Sequence, residues 1–160
     1  LAEDYCLLLR RDLAPVLPAP DWPAGIQLQP YQPHQAAAVH QLLVLGQEEA
    51  GGDMPTLDTW RQQLEQDAEY DPALCFVAVD AQGPVAVAQC WTSAYLKDLV
   101  VHPRARRQGL GRALLQHVFQ VFQQRREGWV DLKVREDNQP ARHLYASVGM
   151  RLVRREPIPR

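Results

Sequence analysis

Residues Leu99-Val100-Val101-His102-Pro103-Arg104-Ala105-Arg106-Arg107-Gln108-Gly109-Leu110-Gly111-Arg112-Ala113-Leu114-Leu115 read as a strand, a basic glycine loop and a helix. Leu99 to Val101 are apolar and partly β-branched, as in a buried strand. Pro103 has no N–H to give a ladder and stops the strand. Arg104, Arg106, Arg107 and Arg112 follow with no acid among them. Gly109 and Gly111 let the backbone turn tightly and approach a ligand closely. Leu110, Leu114, Val118, Val121 and Phe122 then fall on one helical stripe. The loop thus presents a helix N-terminus with bare N–H groups among guanidinium groups. Free donors and helix dipole together favour a phosphate-type anion there.

Three phosphate-binding patterns can be compared with this loop. A Walker P-loop requires a lysine and then Ser or Thr after its second glycine, where Arg112-Ala113 stand. A dinucleotide fingerprint requires a third glycine, where Leu114 stands, and an acid after the next strand, where Val134-Arg135 is a poor match. Arg106-Arg107-Gln108-Gly109-Leu110-Gly111 matches the Gln/Arg-x-x-Gly-x-Gly/Ala signature, and resembles the GNAT acetyltransferase superfamily. The preceding Leu99-Val100-Val101-His102-Pro103 is similar too. The resemblance implies that Arg106, Arg107, Gln108, Gly109, Leu110, Gly111 and Arg112 surround the pyrophosphate of acetyl-coenzyme A, held through backbone N–H groups. The plainer alternative is a solvated basic turn whose glycines serve only the chain reversal. A nucleic-acid patch fits less well, because no aromatic residues interleave with the arginines and the rest of the chain is slightly acidic.

A second stretch, Asn138-x-x-Ala141-x-x-Leu144-Tyr145-x-x-x-Gly149, is similar to the other signature of that family. Both occur in the expected order, and the likeness covers about Ile26 to Arg155. It implies that Asn138 bonds the pantetheine arm or its neighbouring backbone. It implies also that Tyr145 stands by the thioester sulfur and protonates the leaving thiolate, chemistry suited to a positioned phenol. Purely structural roles are a helix cap for Asn138 and a core aromatic for Tyr145. In the family the fourth and fifth core strands splay, and the arm bonds between them like an added strand. Leu99, Val100 and Val101 would flank it here, with the backbone of Leu99 and Val101 making the bonds.

The composition bounds these readings. With 160 residues, 46% hydrophobic and 22% charged, the chain suits one soluble core. The net charge of −2 makes the basic loop a local feature. Cys6-Leu7-Leu8-Leu9 ends at Arg10-Arg11, too short an apolar run to span a bilayer, and no signal peptide is visible. Cys6, Cys75 and Cys90 are odd in number and far apart, as reduced thiols buried in strands of a cytoplasmic protein would be. No histidine stands at ligand spacing from them, so no metal site is expected.

In chain order, Tyr5–Arg10 is expected to be an extra strand laid against the sheet edge. A proline-rich linker through Gly25 follows, and residues 26–160 form the acetyltransferase domain. The run from Leu17 to Gly25 is similar to the approach to the second half of tandem acetyltransferases such as mycothiol synthase. That likeness, and a first residue that is Leu and not Met, leave open that a preceding domain has been removed. Ile26–Tyr31 reads as a first core strand, Gln35–Leu45 as a helix, and Gly46–Pro55 as a loop. Thr56 caps a helix running to about Glu69. Leu74–Asp80, Val85–Trp91 and Tyr95–Val101 form an antiparallel meander. After the Gly109–Arg126 helix, Trp129–Val134 returns parallel to Tyr95–Val101. Asn138-Gln139-Pro140 opens the last helix, Gly149 ends it, and Met150–Arg155 is a final strand. The class is therefore α+β in three layers. It is a mostly antiparallel, GNAT-like sheet of six to seven strands with about four flanking helices and a splayed parallel pair.

The resemblance implies an acetyl-coenzyme A-dependent N-acetyltransferase acting on a primary amine of a small molecule, peptide or protein. A coenzyme A sensor without catalysis is the alternative. Direct attack needs a neutral amine, hence a base. Glu48 and Glu49 in the first loop, Asp98 and His102 are candidates. No nucleophile constellation occurs. Exposed strand edges leave a homodimer open.

Overall fold

A computed structural model describes residues 4–13 and 16–159. The strands are β1 (Tyr5–Asp12), β2 (Gln27–Pro30), β3 (Cys75–Asp80), β4 (Gly83–Trp91), β5 (Tyr95–Val101), β6 (Trp129–Arg135) and β7 (Arg151–Pro157). The helices are α1 (Ala36–Glu49), α2 (Leu57–Gln66), α3 (Leu110–Gln124) and α4 (Gln139–Ser147). The strands make one sheet in the order β2-β3-β4-β5-β6-β1-β7. Every neighbouring pair is antiparallel except β5 and β6. The expected mixed sheet between two helical layers is what forms.

Alternation along the strands sorts the core into those layers. Phe76, Ala78, Ala86 and Ala88 face α3, whose Leu110, Leu114, Leu115, Val118 and Phe122 are buried against them. Ala141, Leu144 and Tyr145 bring α4 onto the same side. Cys75, Val77 and Val87 point the other way, to Val39, Leu42 and Leu43 of α1 and Trp60 and Leu64 of α2. Side chains at both ends of α2 and α4 explain where they start. Thr56 accepts a bond from the Thr59 N–H at 3.4 Å, and Asn138 accepts one from the Ala141 N–H at 3.2 Å. Gly149, at φ +88°, supplies the left-handed residue just past α4.

Three sequence expectations are corrected. The N-terminal strand does not lie at an edge: β1 is inserted between β6 and β7 and pairs with both. Leu7, Leu8 and Leu9 are all buried, which requires cover on both faces and suits an interior strand. The strand expected at Ile26–Tyr31 is shorter, Gln27–Pro30, and lies at the other edge of the sheet against β3, with the Tyr31 N–H adding a bond to the Cys75 carbonyl. The first helix runs four residues past Leu45, through Gly46, so Glu48 and Glu49 belong to α1 and not to a loop. Small shifts elsewhere (α2 ends at Gln66, β7 reaches Pro157) leave the topology unchanged.

Polar ties reinforce the placement of β1. Arg10 grips Asp131 of β6 with two bonds of 2.8 and 2.9 Å. Its guanidinium also lies 4.1 Å from the ring centre of Trp129. Because β1 closes half of the sheet, Leu9→Ala is expected to lower stability by about 2–5 kcal/mol. Val16→Ala, at a side chain 83% exposed, should change it by less than about 0.5 kcal/mol. Urea unfolding of the two variants and the parent measures both.

Candidate active site

Where β5 leaves β6, a gap opens. The two strands share one rung, Tyr95 opposite Asp131, with the Asp131 N–H bonded to the Ala94 carbonyl at 3.0 Å. Beyond it β5 keeps its pairing with β4 as far as Val101. An extra residue, Lys97, sits in β5 where the register to β4 shifts, and such a bulge increases the strand's twist. The His102 N–H donates back to Val85. Backbone direction alternates along a strand, so Val101 and Leu99 aim their polar groups away from β4 and into the gap. There the Val101 carbonyl accepts a bond from Arg106 Nε at 2.9 Å.

A cleft of about 1140 Å³ occupies this gap. Its β5 wall is Leu99, Val100 and Val101. Arg106 and Arg107 come from the glycine loop, and Gly109, Leu110, Gly111 and Arg112 from the start of α3. The far wall is Asn138 and Tyr145 of the α4 region. Eleven of the twelve residues singled out in the sequence thus converge on one cleft, and Gln108 is the exception. The loop geometry follows from its residues. Gly109, at φ +82°, is the residue just before α3, and nothing lies within 4 Å of where a Cβ would stand. Its role is conformational, since L side chains disfavour that region. Gly111 serves close approach instead: a Cβ would lie 3.3 Å from Leu144 Cδ2 and 3.7 Å from Val101 Cγ2. Arg107 takes φ +64°, a strained value for a non-glycine residue, and has no ion pair among the described residues.

The arginines divide the work. Arg104 turns away, to Asp80 at 3.3 Å. Arg106 also binds Glu49 at the end of α1, at 2.8 Å. Arg112 donates to the Ser147 carbonyl and hydroxyl at 3.2 and 3.0 Å, joining the start of α3 to the end of α4. Arg135 and Asp137, paired at 3.3 Å, line the cleft as well. The cleft therefore holds four arginines against two carboxylates, a positive field for an anion.

Tyr145 carries the chemistry that this cleft can do. Its hydroxyl makes no hydrogen bond to another described residue, and burial pushes its pKa up to about 12. A phenol held neutral and unpartnered can give a proton to a basic group placed beside it. Asn138 spends its carbonyl on capping α4 and keeps its amide N–H groups. The proposed bases are placed less well. Glu48 is exposed and outside the lining. Glu49 lines the cleft but is tied to Arg106. Asp98 pairs with Lys97 at 3.2 Å and lies outside the lining. His102 Nδ1 accepts the Arg104 N–H at 3.1 Å and caps a short turn. Cysteine nucleophiles are absent here too: burial pushes Cys75 up to about 12 and Cys90 higher than usual, and neither lines the cleft. Among the described residues no group of side chains could hold a metal ion.

Sequence reading missed Gly46, Ala50 and Gly51 of the α1 end, and Arg135 and Asp137. The last two had a signal. Strand ends and the loops after neighbouring parallel strands converge on ligands, and Arg135 ends β6 with Glu136–Asn138 following it, as His102–Gly109 follows β5.

Known proteins are similar to this chain in sequence and fold. Mycothiol acetyltransferase of Thermobispora bispora is 29% identical over 157 residues, covering 88% of this chain and 52% of its own. The ribosomal protein bS18-alanine N-acetyltransferase of Escherichia coli is 43% identical over 56 residues, 35% of this chain and 38% of that one. The chain spans about half the length of the mycothiol relative. A GCN5-related N-acetyltransferase from Sphaerobacter thermophilus superposes with a TM-score of 0.82 at 25% identity, over 97% of this chain and 50% of that one. The Acetyltransferase (GNAT) family pattern matches residues 36–150, and the chain belongs to that family.

Proposed function

We propose that this chain binds acetyl-coenzyme A in the β5–β6 cleft and transfers its acetyl group directly to a primary amine. The observation that carries the reading is the single rung between β5 and β6, beside a cleft with anion donors at one end and Tyr145 in its wall. The residues suit that cosubstrate. The first turn of α3 offers bare N–H groups, with Arg107 and Arg112 beside them, to a diphosphate. The Val101 carbonyl already accepts a donor from inside the cleft, as it would from an amide of the pantetheine arm.

Acetyl-coenzyme A supplies a thioester, an acyl group already open to attack. The chain's own residues orient and neutralise. An N–H of β5 turned into the gap would stabilise the negative charge that develops on the carbonyl oxygen. As the C–N bond forms and the C–S bond breaks, the Tyr145 phenol gives its proton to the sulfur, and the amine's proton leaves through water. The relatives' names mention mycothiol and an alanine of ribosomal protein bS18, and a small amine or a peptide amine is the class of acceptor we favour. Three unpaired thiols fit a cytoplasmic setting, and no helix among the described residues is long and apolar enough to cross a membrane. One observation favours a coenzyme A sensor instead: none of Glu48, Glu49, Asp98 and His102 stands free in the cleft.

Calorimetry with coenzyme A and a thiol-release assay over an amine panel test the reading. Gly109→Asp has room for its side chain and puts a carboxylate where the diphosphate would lie. It should weaken coenzyme A binding at least about tenfold. Unchanged affinity would refute the proposed cofactor seat. Tyr145→Phe should leave that affinity intact and lower kcat by about 10²-fold or more. Binding without turnover on any amine would favour the sensor. The phenol's raised pKa also fixes a sign. It donates below its folded value and stops donating above it, so any rate loss from Tyr145 itself begins only as pH nears about 12.

A further inference from the structure

A second hollow, of about 220 Å³, lies between β1, α3 and the C-terminal end of α4. Two guanidinium groups line it, Arg11 from β1 and Arg112 from α3. Neither has a carboxylate partner among the described residues. Arg11 donates from Nε to the Val148 carbonyl at 3.0 Å and from Nη1 to the Asp12 carbonyl. Arg112 donates from Nη1 alone, to Ser147. The nearby Asp12 carboxylate is engaged with Arg151 at 2.8 Å. Arg11 Nη2 and Arg112 Nε and Nη2 therefore keep unused donors.

Gln116 is the second observation. It lines the hollow, is only 7% exposed, and its amide bonds to no described residue. The other two buried glutamines behave differently. Gln35 exchanges bonds with Gln32 and Gln29, whereas Gln89 donates to the Cys90 carbonyl and its Oε1 is enclosed by protein, away from the walls of either cavity. The Gln116 amide is not sealed off, as Tyr31 Oη and Gln89 Oε1 are, so it stays open to a ligand that enters the hollow. The remaining walls are apolar, with Phe119, Val148, Leu17 and Pro18.

We propose that this hollow is a second binding site, for a small organic carboxylate with an apolar body. The carboxylate would bridge the free donors of Arg11 and Arg112 and accept from the Gln116 amide. Its body would rest on Phe119 and Pro18. Two uncompensated cations call for an anion, and charge-assisted bonds of this kind are the strong ones. The apolar walls call for more than a bare ion. The volume is that of about seven waters, so the ligand is of benzoate size. The site does not rest on the acetyl-coenzyme A reading; the two cavities share the Arg112 guanidinium, whereas Arg11 and Gln116 line this hollow alone.

Titration of the isotope-labelled chain with sodium benzoate, followed by amide NMR, tests the assignment. Benzoate should shift the Gln116 side-chain amide and the Gly149 backbone amide together, and benzyl alcohol should shift neither. Arg11→Gln and Gln116→Leu should each weaken benzoate binding about tenfold. Gln116→Leu keeps the buried volume and removes an unsatisfied amide, so its fold should persist, as unfolding curves will read. The proposal fails if benzoate leaves Gln116 unshifted, or if benzyl alcohol binds equally well. It also fails if both variants bind as the parent does, or if the shifts are confined to Gly109 and Gly111 of the main cleft.

Discussion

A strand has two edges, and a sheet is stable when both are satisfied. β5 satisfies one of them against β4 and is held to a single rung on the other. Unpaired backbone groups next to a core are costly unless water or another partner reaches them. The cleft, the direction of the Val101 carbonyl and the position of Arg106 all follow from that one divergence. What keeps the strands apart is the packing on either side. α3 crosses from the end of β5 to the start of β6, and its buried stripe fixes where each strand must leave the sheet.

The two ends of the cleft are rigidly related through side chains that do no chemistry. Gly111 lets Leu144 and Val101 come within ordinary contact of the start of α3. Arg112 joins that same turn to Ser147. The turn that carries the free donors and the helix that carries Tyr145 are thus joined by packing and by two hydrogen bonds. On the other flank, Glu49 ties the end of α1 to Arg106. An exposed ion pair of this kind is weak, worth roughly 0–1 kcal/mol, so this side is the more yielding of the two walls.

Much of this was legible in the residues. Pro103, Gly109 and the stripe from Leu110 to Phe122 locate the strand end, the left-handed turn and the helix, because each reports a local backbone requirement. Asn138 and Gly149 bracket α4 for the same reason. Pairing between distant strands was harder. Leu7, Leu8 and Leu9 are apolar on both faces, as in an interior strand, but the edge placement expected from the sequence passes over that pattern, and nothing in them names β6 and β7 as partners. Arg135, Asp137 and the end of α1 enter the cleft only through tertiary packing. The partner that disarms Glu49, Arg106, is visible only once the chain is folded, whereas Lys97 stands next to Asp98 in the sequence.

The insertion of β1 bears on how the chain comes to be made. Cys6 pairs with Arg135 and Glu156, so β1 waits for two strands made much later in the chain, β6 and β7, before it can be buried. Contacts at such separation slow folding, because a long loop must close before they form. Until then three consecutive leucines stay uncovered, a sticky edge of the sort that chaperones bind. During synthesis the strands from β2 to β5 can collapse with α1 and α2 early. The half of the sheet that opens the cleft is completed only once β6 and β7 have been made.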